Sequence, residues 1–121
     1  MRSSITIYKA DSKITQTLGF GSMAREMPFP MESMDAAEIT LSNRYPETDF
    51  VMNTSCDMII RVIKGGVILY TNDNKRVLLV EGATINIPRG LAYYWQAVAE
   101  TTLFIVSSPP WSKTQQKRIT P

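Results

Sequence analysis

Residues 82–93, with the sequence GATINIPRGLAY, contain the features that decide the fold. Residues 84–87 alternate polar and apolar side chains, which predicts a short β-strand. Gly82 permits a sharp turn into this strand, Pro88 fixes φ at its end, and Gly90 permits the next turn. The segment therefore predicts two short strands joined by a tight connection.

The same kind of pattern continues on both sides of this segment. Short alternating or β-branched runs are separated by Gly, Pro, Asn and Asp at spacings of about 8–12 residues, which indicates a β-barrel or β-sandwich. Residues 77–80 lack polar alternation and are expected to be covered on both faces. Strands are predicted at residues 5–8, 14–18, 37–41, 50–53, 58–63, 67–71, 76–80, 84–87, 92–96 and 102–107, turns at 44–49, 64–66 and 72–75, a loop at 19–34, and a short C-terminal helix at 112–118. A helix over residues 33–41 is the competing prediction for that segment.

The chain has 121 residues, which is enough for one domain and leaves little room for a second. We expect a single domain over residues 1–121, with a barrel core at about 37–111, N-terminal strands and a loop at 1–36, and a tail at 112–121. The net charge of +2 is too small to indicate a nucleic-acid partner. No apolar run is long enough for a signal peptide or a membrane span, so we expect a cytoplasmic protein.

The composition excludes several kinds of chemistry. The chain contains no histidine and only Cys56 as a cysteine. Catalytic triads that use histidine, histidine-based metal sites and cysteine-rich zinc sites are therefore excluded. Cys56 has no histidine to activate it, and we expect it to be structural.

The order Gly82, five residues, Pro88, one residue, Gly90, two residues and Tyr93 resembles the second motif of the cupin family. Residues 59–65, IIRVIKG, resemble the end of the first cupin motif, in which a strand leads into a glycine. The resemblance covers residues 37–111 and implies an all-β, single-domain jelly-roll barrel (a double-stranded β-helix of the RmlC-like type). Residues 56–58, the segment INIPRG and the ending SSPPW are similar to cupins of the ethanolamine-utilisation type.

The resemblance also shows where a cupin would hold its metal. Counted from the motifs, the glutamate position is Met58 and the second-motif histidine is Tyr93. The histidine pair falls on Val51 and Asn53, or on residues 52 and 54. Since these side chains form no ligand set for a divalent cation, we expect no metal and no other cofactor.

The cupin resemblance implies that side chains at the ligand positions point into the barrel. Period-two alternation then places Met58, Ile60 and Val62 inside, with Tyr93 and Trp95 inside on a facing strand. We therefore predict a pocket with apolar walls and a few polar anchors. The alternative is a barrel that is simply filled by its side chains. The predicted ligand-binding residues are Asn53, Met58, Tyr93, Trp95 and Phe104, in which Asn53 and the Tyr93 hydroxyl are the polar anchors.

Three functions are compatible with this sequence, because the fold does not select among them. The first is binding of a small polar or carbohydrate-like metabolite. The second is a metal-independent isomerase, epimerase or lyase in which Tyr93 and a carboxylate are catalytic. The third is a non-catalytic scaffold or assembly subunit. A homodimer formed through the outer sheet is expected in each case, and Trp111 is expected to pack on the end of the barrel.

Overall fold

Two antiparallel β-sheets face each other in a computed structural model that describes residues 14–19, 22–27 and 32–120. One sheet has the strand order β1-β2-β3-β11-β6-β9 and the other β12-β5-β10-β7-β8, with β4 paired to β10. The strands of the first sheet are β1 (Ile14–Gly19), β2 (Ser22–Met27), β3 (Asp35–Leu41), β6 (Asp57–Lys64), β9 (Thr84–Ile87) and β11 (Thr101–Ser108). Those of the second are β4 (Arg44–Tyr45), β5 (Phe50–Asn53), β7 (Gly66–Thr71), β8 (Arg76–Val80), β10 (Ala92–Ala97) and β12 (Gln116–Ile119).

Strand alternation produces a single core between the two sheets. In β6 every second side chain is buried, and the same holds for β11 and for β10 from Tyr93 onward. This arrangement confirms the predicted inward direction of Met58, Ile60 and Val62. The core of the described residues consists of Leu41, Val51, Cys56, Met58, Ile60, Val62, Val67, Leu69, Leu79, Ile87, Tyr93, Trp95, Ala97, Leu103 and Ile105.

Most predicted strands are present, and the competing helix at 33–41 is not, since those residues form β3. The strand predicted at 5–8 lies outside the described residues. The two-residue strand β4 lies within the predicted turn at 44–49.

Three predictions about individual elements were wrong. The predicted loop at 19–34 contains β2, whose six residues pair with both β1 and β3. The predicted C-terminal helix is a 3₁₀ turn at Lys113–Gln115 followed by β12, which pairs with β5 and so covers the edge of the second sheet. Strand β8 is not covered on both faces, because Leu78 and Val80, which share one face, are exposed. It is also the edge strand of its sheet.

Candidate ligand-binding cavity

A small cavity lies between the two sheets. It offers about 70 Å³ to the centres of water-sized molecules, which is room for several waters. Aromatic and aliphatic side chains form most of its surface, and a few polar groups converge on it. The described lining residues are Ala24, Glu26, Asp35, Ala37, Ile39, Tyr45, Met58, Tyr93, Trp95, Ile105, Ser107, Trp111 and Gln116.

Strand β10 places Tyr93 and Trp95 in this cavity. Tyr93 is only 7% exposed, and its ring meets the Trp95 ring edge-on at a centroid distance of 5.6 Å. Within the part of the chain that the structure describes, the Tyr93 hydroxyl has no hydrogen-bond partner. Burial raises the pKa of Tyr93 well above its ordinary value, so the phenol stays protonated and can donate a hydrogen bond.

Two carboxylates line the same cavity. Burial raises the pKa of Asp35. The Trp111 amide donates a hydrogen bond to Asp35 Oδ2 at 3.1 Å, which lowers the pKa by a smaller amount. Burial also raises the pKa of Glu26, and the nearby charge of Asp35 raises it further. Raised carboxylate pKa values in a cavity are typical of functional sites, because such groups can exchange protons closer to neutral pH.

A second polar pair comes from the short strand β4 and the C-terminal strand β12. Gln116 Nε2 donates a hydrogen bond to Tyr45 Oη at 2.8 Å, and both side chains line the cavity. Tyr45 is opposite Trp95 in the register of β4 and β10. This bond fixes the direction of the Tyr45 hydroxyl beside the aromatic wall.

The structure brings three of the five predicted ligand-binding residues together, because Met58, Tyr93 and Trp95 all line the cavity. Asn53 is not among the described residues that line this cavity. Its Oδ1 accepts hydrogen bonds from the amides of Ser55 at 2.9 Å and Cys56 at 2.8 Å. The side chain therefore stabilises the turn between β5 and β6, as asparagine often does.

Phe104 is also absent from the described cavity walls. In β11 the buried side chains are those at odd positions, so Leu103 and Ile105 face the core. Phe104 is half-buried on the opposite side of the sheet, and Ile105 forms the cavity wall instead. The prediction named the right strand and missed its register by one residue.

Sequence reasoning missed the other described cavity residues, among them Glu26, Asp35, Tyr45, Trp111 and Gln116. The available signal was a carboxylate in a strand with small apolar neighbours, as for Asp35 before the pair Ala36-Ala37. Trp111 packs against the core as expected, and it is also part of the cavity wall.

The residues at the metal positions of the cupin motifs give a poor donor set. The thioether of Met58 and the protonated phenol of Tyr93 line the cavity, and neither is a good ligand for a divalent cation. Among the described residues there is no group of three or more His, Cys, Asp or Glu side chains that would hold a metal ion. Cys56 is buried nearby, and burial raises the pKa of its thiol.

The fold matches solved structures of cupins over nearly the whole chain. Pac13 from Streptomyces, solved with uridine, has a TM-score of 0.82 at 10% identity, covering 96% of this chain and 92% of that one. An RmlC-like cupin from Shewanella frigidimarina has a TM-score of 0.72 at 15% identity, covering 90% and 95% of the two chains. KdgF from a Halomonas species has a TM-score of 0.73 at 12% identity, covering 92% and 99%.

These similarities establish that the chain has the cupin jelly-roll fold. The sequence itself matches no protein-family model and no curated protein sequence. Pac13 is described as a nucleoside dehydratase, and variants in which one histidine or one tyrosine is replaced were solved with uridine. In the described part of this chain, no helix is long and apolar enough to cross a membrane.

Proposed function

We propose that this protein binds a small polar metabolite, carbohydrate-like or nucleoside-like, in the cavity between its sheets. The observation that carries the proposal is the Tyr93 hydroxyl, which lines the cavity with no hydrogen-bond partner among the described residues. No protein group competes for this hydroxyl, so a ligand can take the place of water as its hydrogen-bond partner. Aromatic walls with a few polar groups are the usual anatomy of small-molecule sites.

The ionisable side chains that line the cavity indicate which class of ligand it would bind. Its described lining includes the carboxylates Glu26 and Asp35 and contains no lysine or arginine. An anionic ligand would meet two half-buried acidic groups, whereas the hydroxyl groups of a sugar would find hydrogen-bond acceptors. The proposed ligand is therefore an uncharged molecule rather than its phosphate ester. Binding of uridine by the structurally similar Pac13 supports this class.

The cavity is small for the proposed ligand. A space of about 70 Å³ is smaller than the roughly 150 Å³ of an engineered cavity that holds benzene. Trp111 is the half-buried wall that follows two prolines near the end of the chain, and one backbone hydrogen bond to Asp35 holds it. We infer that this wall moves when the ligand enters.

The test is calorimetry and thermal shift with uridine and ribose, each compared with its 5′-phosphate. We expect the uncharged member of each pair to raise Tm, because a ligand that binds only the native state stabilises it. Tyr93→Phe should weaken binding by about tenfold, the loss of one hydrogen bond of about 1.4 kcal/mol. Tyr94→Phe is the matched control, since Tyr94 lies next in β10 on the outer face. Stronger binding of the phosphates, or equal binding by both variants, would contradict the proposal.

A second candidate function is supported by the two carboxylates. A metal-independent lyase, isomerase or epimerase needs a proton donor and a proton acceptor at one site, and the cavity holds Tyr93 with Asp35 and Glu26. The protonated phenol would act as the acid and Asp35 as the base. If the protein is such an enzyme, turnover of the bound ligand should be lost in both Tyr93→Phe and Asp35→Asn. Binding without turnover would support ligand binding and exclude the enzyme.

The same proposal includes three properties of the whole protein. It works without a metal ion, because the motif positions carry Met58 and Tyr93. It consists of one domain over residues 1–121, and it forms a homodimer. The scaffold function becomes the better interpretation if no ligand of any class raises Tm.

A further inference from the structure

Strand β8 forms an open edge of the second sheet. Among the described residues it pairs on one side only, with β7. Leu78 and Val80 are 60% and 58% exposed, although both are large hydrophobic side chains. Val98 is also exposed and lies beside them, because its amide donates to Gly66 and Gly66 is opposite Val80. An edge strand with exposed apolar side chains and no protecting bulge or proline is a template for pairing with another chain.

The register of β7 and β8 shows which backbone groups are directed to the open edge. Thr71 N donates to Lys75 O at 3.0 Å, so this pair is hydrogen-bonded across the ladder. Bonded and non-bonded pairs alternate in an antiparallel ladder, so Val77 and Leu79 bond to β7. The amides and carbonyls of Arg76 and Leu78 and the amide of Val80 must then be directed away from β7, whereas Val80 O accepts from Ala83 N at 2.9 Å.

The other side of β7 agrees with this assignment. Gly66 is opposite Val80, and its backbone groups bond elsewhere, since Gly66 O accepts from Val98 N at 3.0 Å and Gly66 N donates to Thr101 Oγ1 at 3.1 Å. The pair of Gly66 and Val80 is therefore a non-bonded one. Leu78, two residues before Val80, has the same orientation.

We infer that β8 is a dimerisation strand, which pairs antiparallel with β8 of a second copy about a two-fold axis at Leu78. In this register Leu78 is opposite the partner's Leu78, and each donates to and accepts from the other. Arg76 is opposite the partner's Val80, so no two like charges are directly opposed. The exposed apolar side chains of both copies form one continuous row.

A second copy fits this edge better than it fits the outer face of the same sheet. That face carries Arg44, Arg76 and Lys117, and the strands of this sheet place no acidic side chain on it. Two such faces packed on each other would bring like charges together, whereas edge pairing does not. The interface is separate from the cavity, so it does not depend on the proposed ligand.

Light scattering with size-exclusion chromatography tests the interface. The protein is expected to have twice the mass of one chain, and Leu78→Lys should have the mass of one chain, because the axis would place two lysines opposite each other. Ile59→Lys is the matched control, since Ile59 is 56% exposed on the outer face of the other sheet. Far-UV circular dichroism checks that both variants fold. A monomeric wild-type protein, or a dimer that only Ile59→Lys dissociates, would overturn the inference.

Cysteine cross-linking tests the register itself. Leu78→Cys should form a disulfide-linked dimer on mild oxidation, because paired residues lie within the usual Cα separation of about 4.4–6.8 Å. Val80→Cys should not, since the two copies of that residue are about 13 Å apart, four residues along the strand. The double variant Arg76→Cys/Val80→Cys should cross-link again. Cys56 is buried and does not compete. Cross-linking of Val80→Cys alone, or none with Leu78→Cys, would exclude this register.

Discussion

Asn53 holds the turn between β5 and β6 through its side chain. It is only 4% exposed, and its Oδ1 accepts two backbone amides, those of Ser55 and Cys56. Asn53→Ala leaves both amides without their acceptor, and each such loss costs about 1–3 kcal/mol. We expect the free energy of unfolding to fall by about 2–3 kcal/mol, measured by urea denaturation.

The control for this prediction keeps the acceptor oxygen. Asn53→Asp retains an oxygen at the same position, and two amide donors stabilise a carboxylate there. It should lose less than half as much stability as Asn53→Ala. If Asn53→Ala were fully stable and failed to bind ligand, Asn53 would be a ligand contact after all.

The alternation of side chains between the two faces of a strand explains which site residues could be predicted from the sequence. Tyr93 and Trp95 are two residues apart in a strand whose turns are marked by Gly90 and Pro88, so their common face was predictable. Phe104 lies in a run of apolar residues without polar alternation, and such a run does not show which face is inside. For Asn53 the sequence does not decide, because asparagine suits both a turn and a ligand contact.

The turn between β6 and β7 depends on Gly65. Its φ of +82° lies in the left-handed region, and a Cβ there would collide with the Glu100 carbonyl oxygen and lie 2.7 Å from Thr101 Oγ1. Thr101 Oγ1 is itself fixed, since it accepts from Gly66 N at 3.1 Å and its one proton lies between the carbonyl oxygens of Gly66 and Ala99, each at 2.9 Å. Gly65→Ala should therefore lower the free energy of unfolding by about 3 kcal/mol or more, since clash is added to backbone strain.

Gly82→Ala separates these two effects. Gly82 also has a positive φ, of +89°, but a Cβ there would meet no atom within 4 Å. It should cost only the backbone strain, about 1–2 kcal/mol. Both variants are measured by the same urea denaturation, and equal losses would show that the contact with Thr101 is not important.

Elements could be predicted where local sequence and tertiary pairing agree. Strands β6, β7 and β10 are rich in β-branched or aromatic residues and are bounded by glycine or asparagine, so they were found. Strand β2 has the sequence SMAREM, which favours no strand locally, and it forms because β1 and β3 pair with it. Strand β12 likewise depends on the edge of β5. Such pairing is not visible in a local pattern.

At the scale of the molecule, the cavity is built from both sheets. Met58 and Tyr93 come from the motif strands, whereas Glu26, Asp35 and Gln116 come from strands at the two ends of the chain. The sequence therefore predicted the barrel and its aromatic wall but not the carboxylates, whose position depends on long-range pairing of β2 and β3. A site assembled in this way is found only once the sheet order is known.

The half-buried carboxylates should make the stability of the whole protein depend on pH. The folded pKa of Asp35 is raised above its ordinary value of 3.8, mainly by burial, so the folded state binds the proton more tightly than the unfolded state. This contribution to stability is complete below pH 3.8 and is lost as the pH rises through the folded pKa. The pH dependence that Asp57 contributes has the opposite sign, because its hydrogen bond with Arg89 lowers its folded pKa. Its contribution to stability is therefore lost as the pH falls.

Asp35→Asn isolates the buried group, since the amide oxygen can still accept the hydrogen bond from Trp111 while the charge is gone. We expect the variant to exceed the wild-type Tm at pH 7 by a few degrees, on the order of what a partly exposed carboxylate can cost. Near pH 3 the two proteins should have similar Tm values, because the wild-type carboxyl is then protonated. Thermal denaturation from pH 3 to 7 measures this difference. A variant that loses more stability as the pH rises would mean that the ionised carboxylate is favourable in the folded state, and the cavity would then have to provide Asp35 with a positive partner.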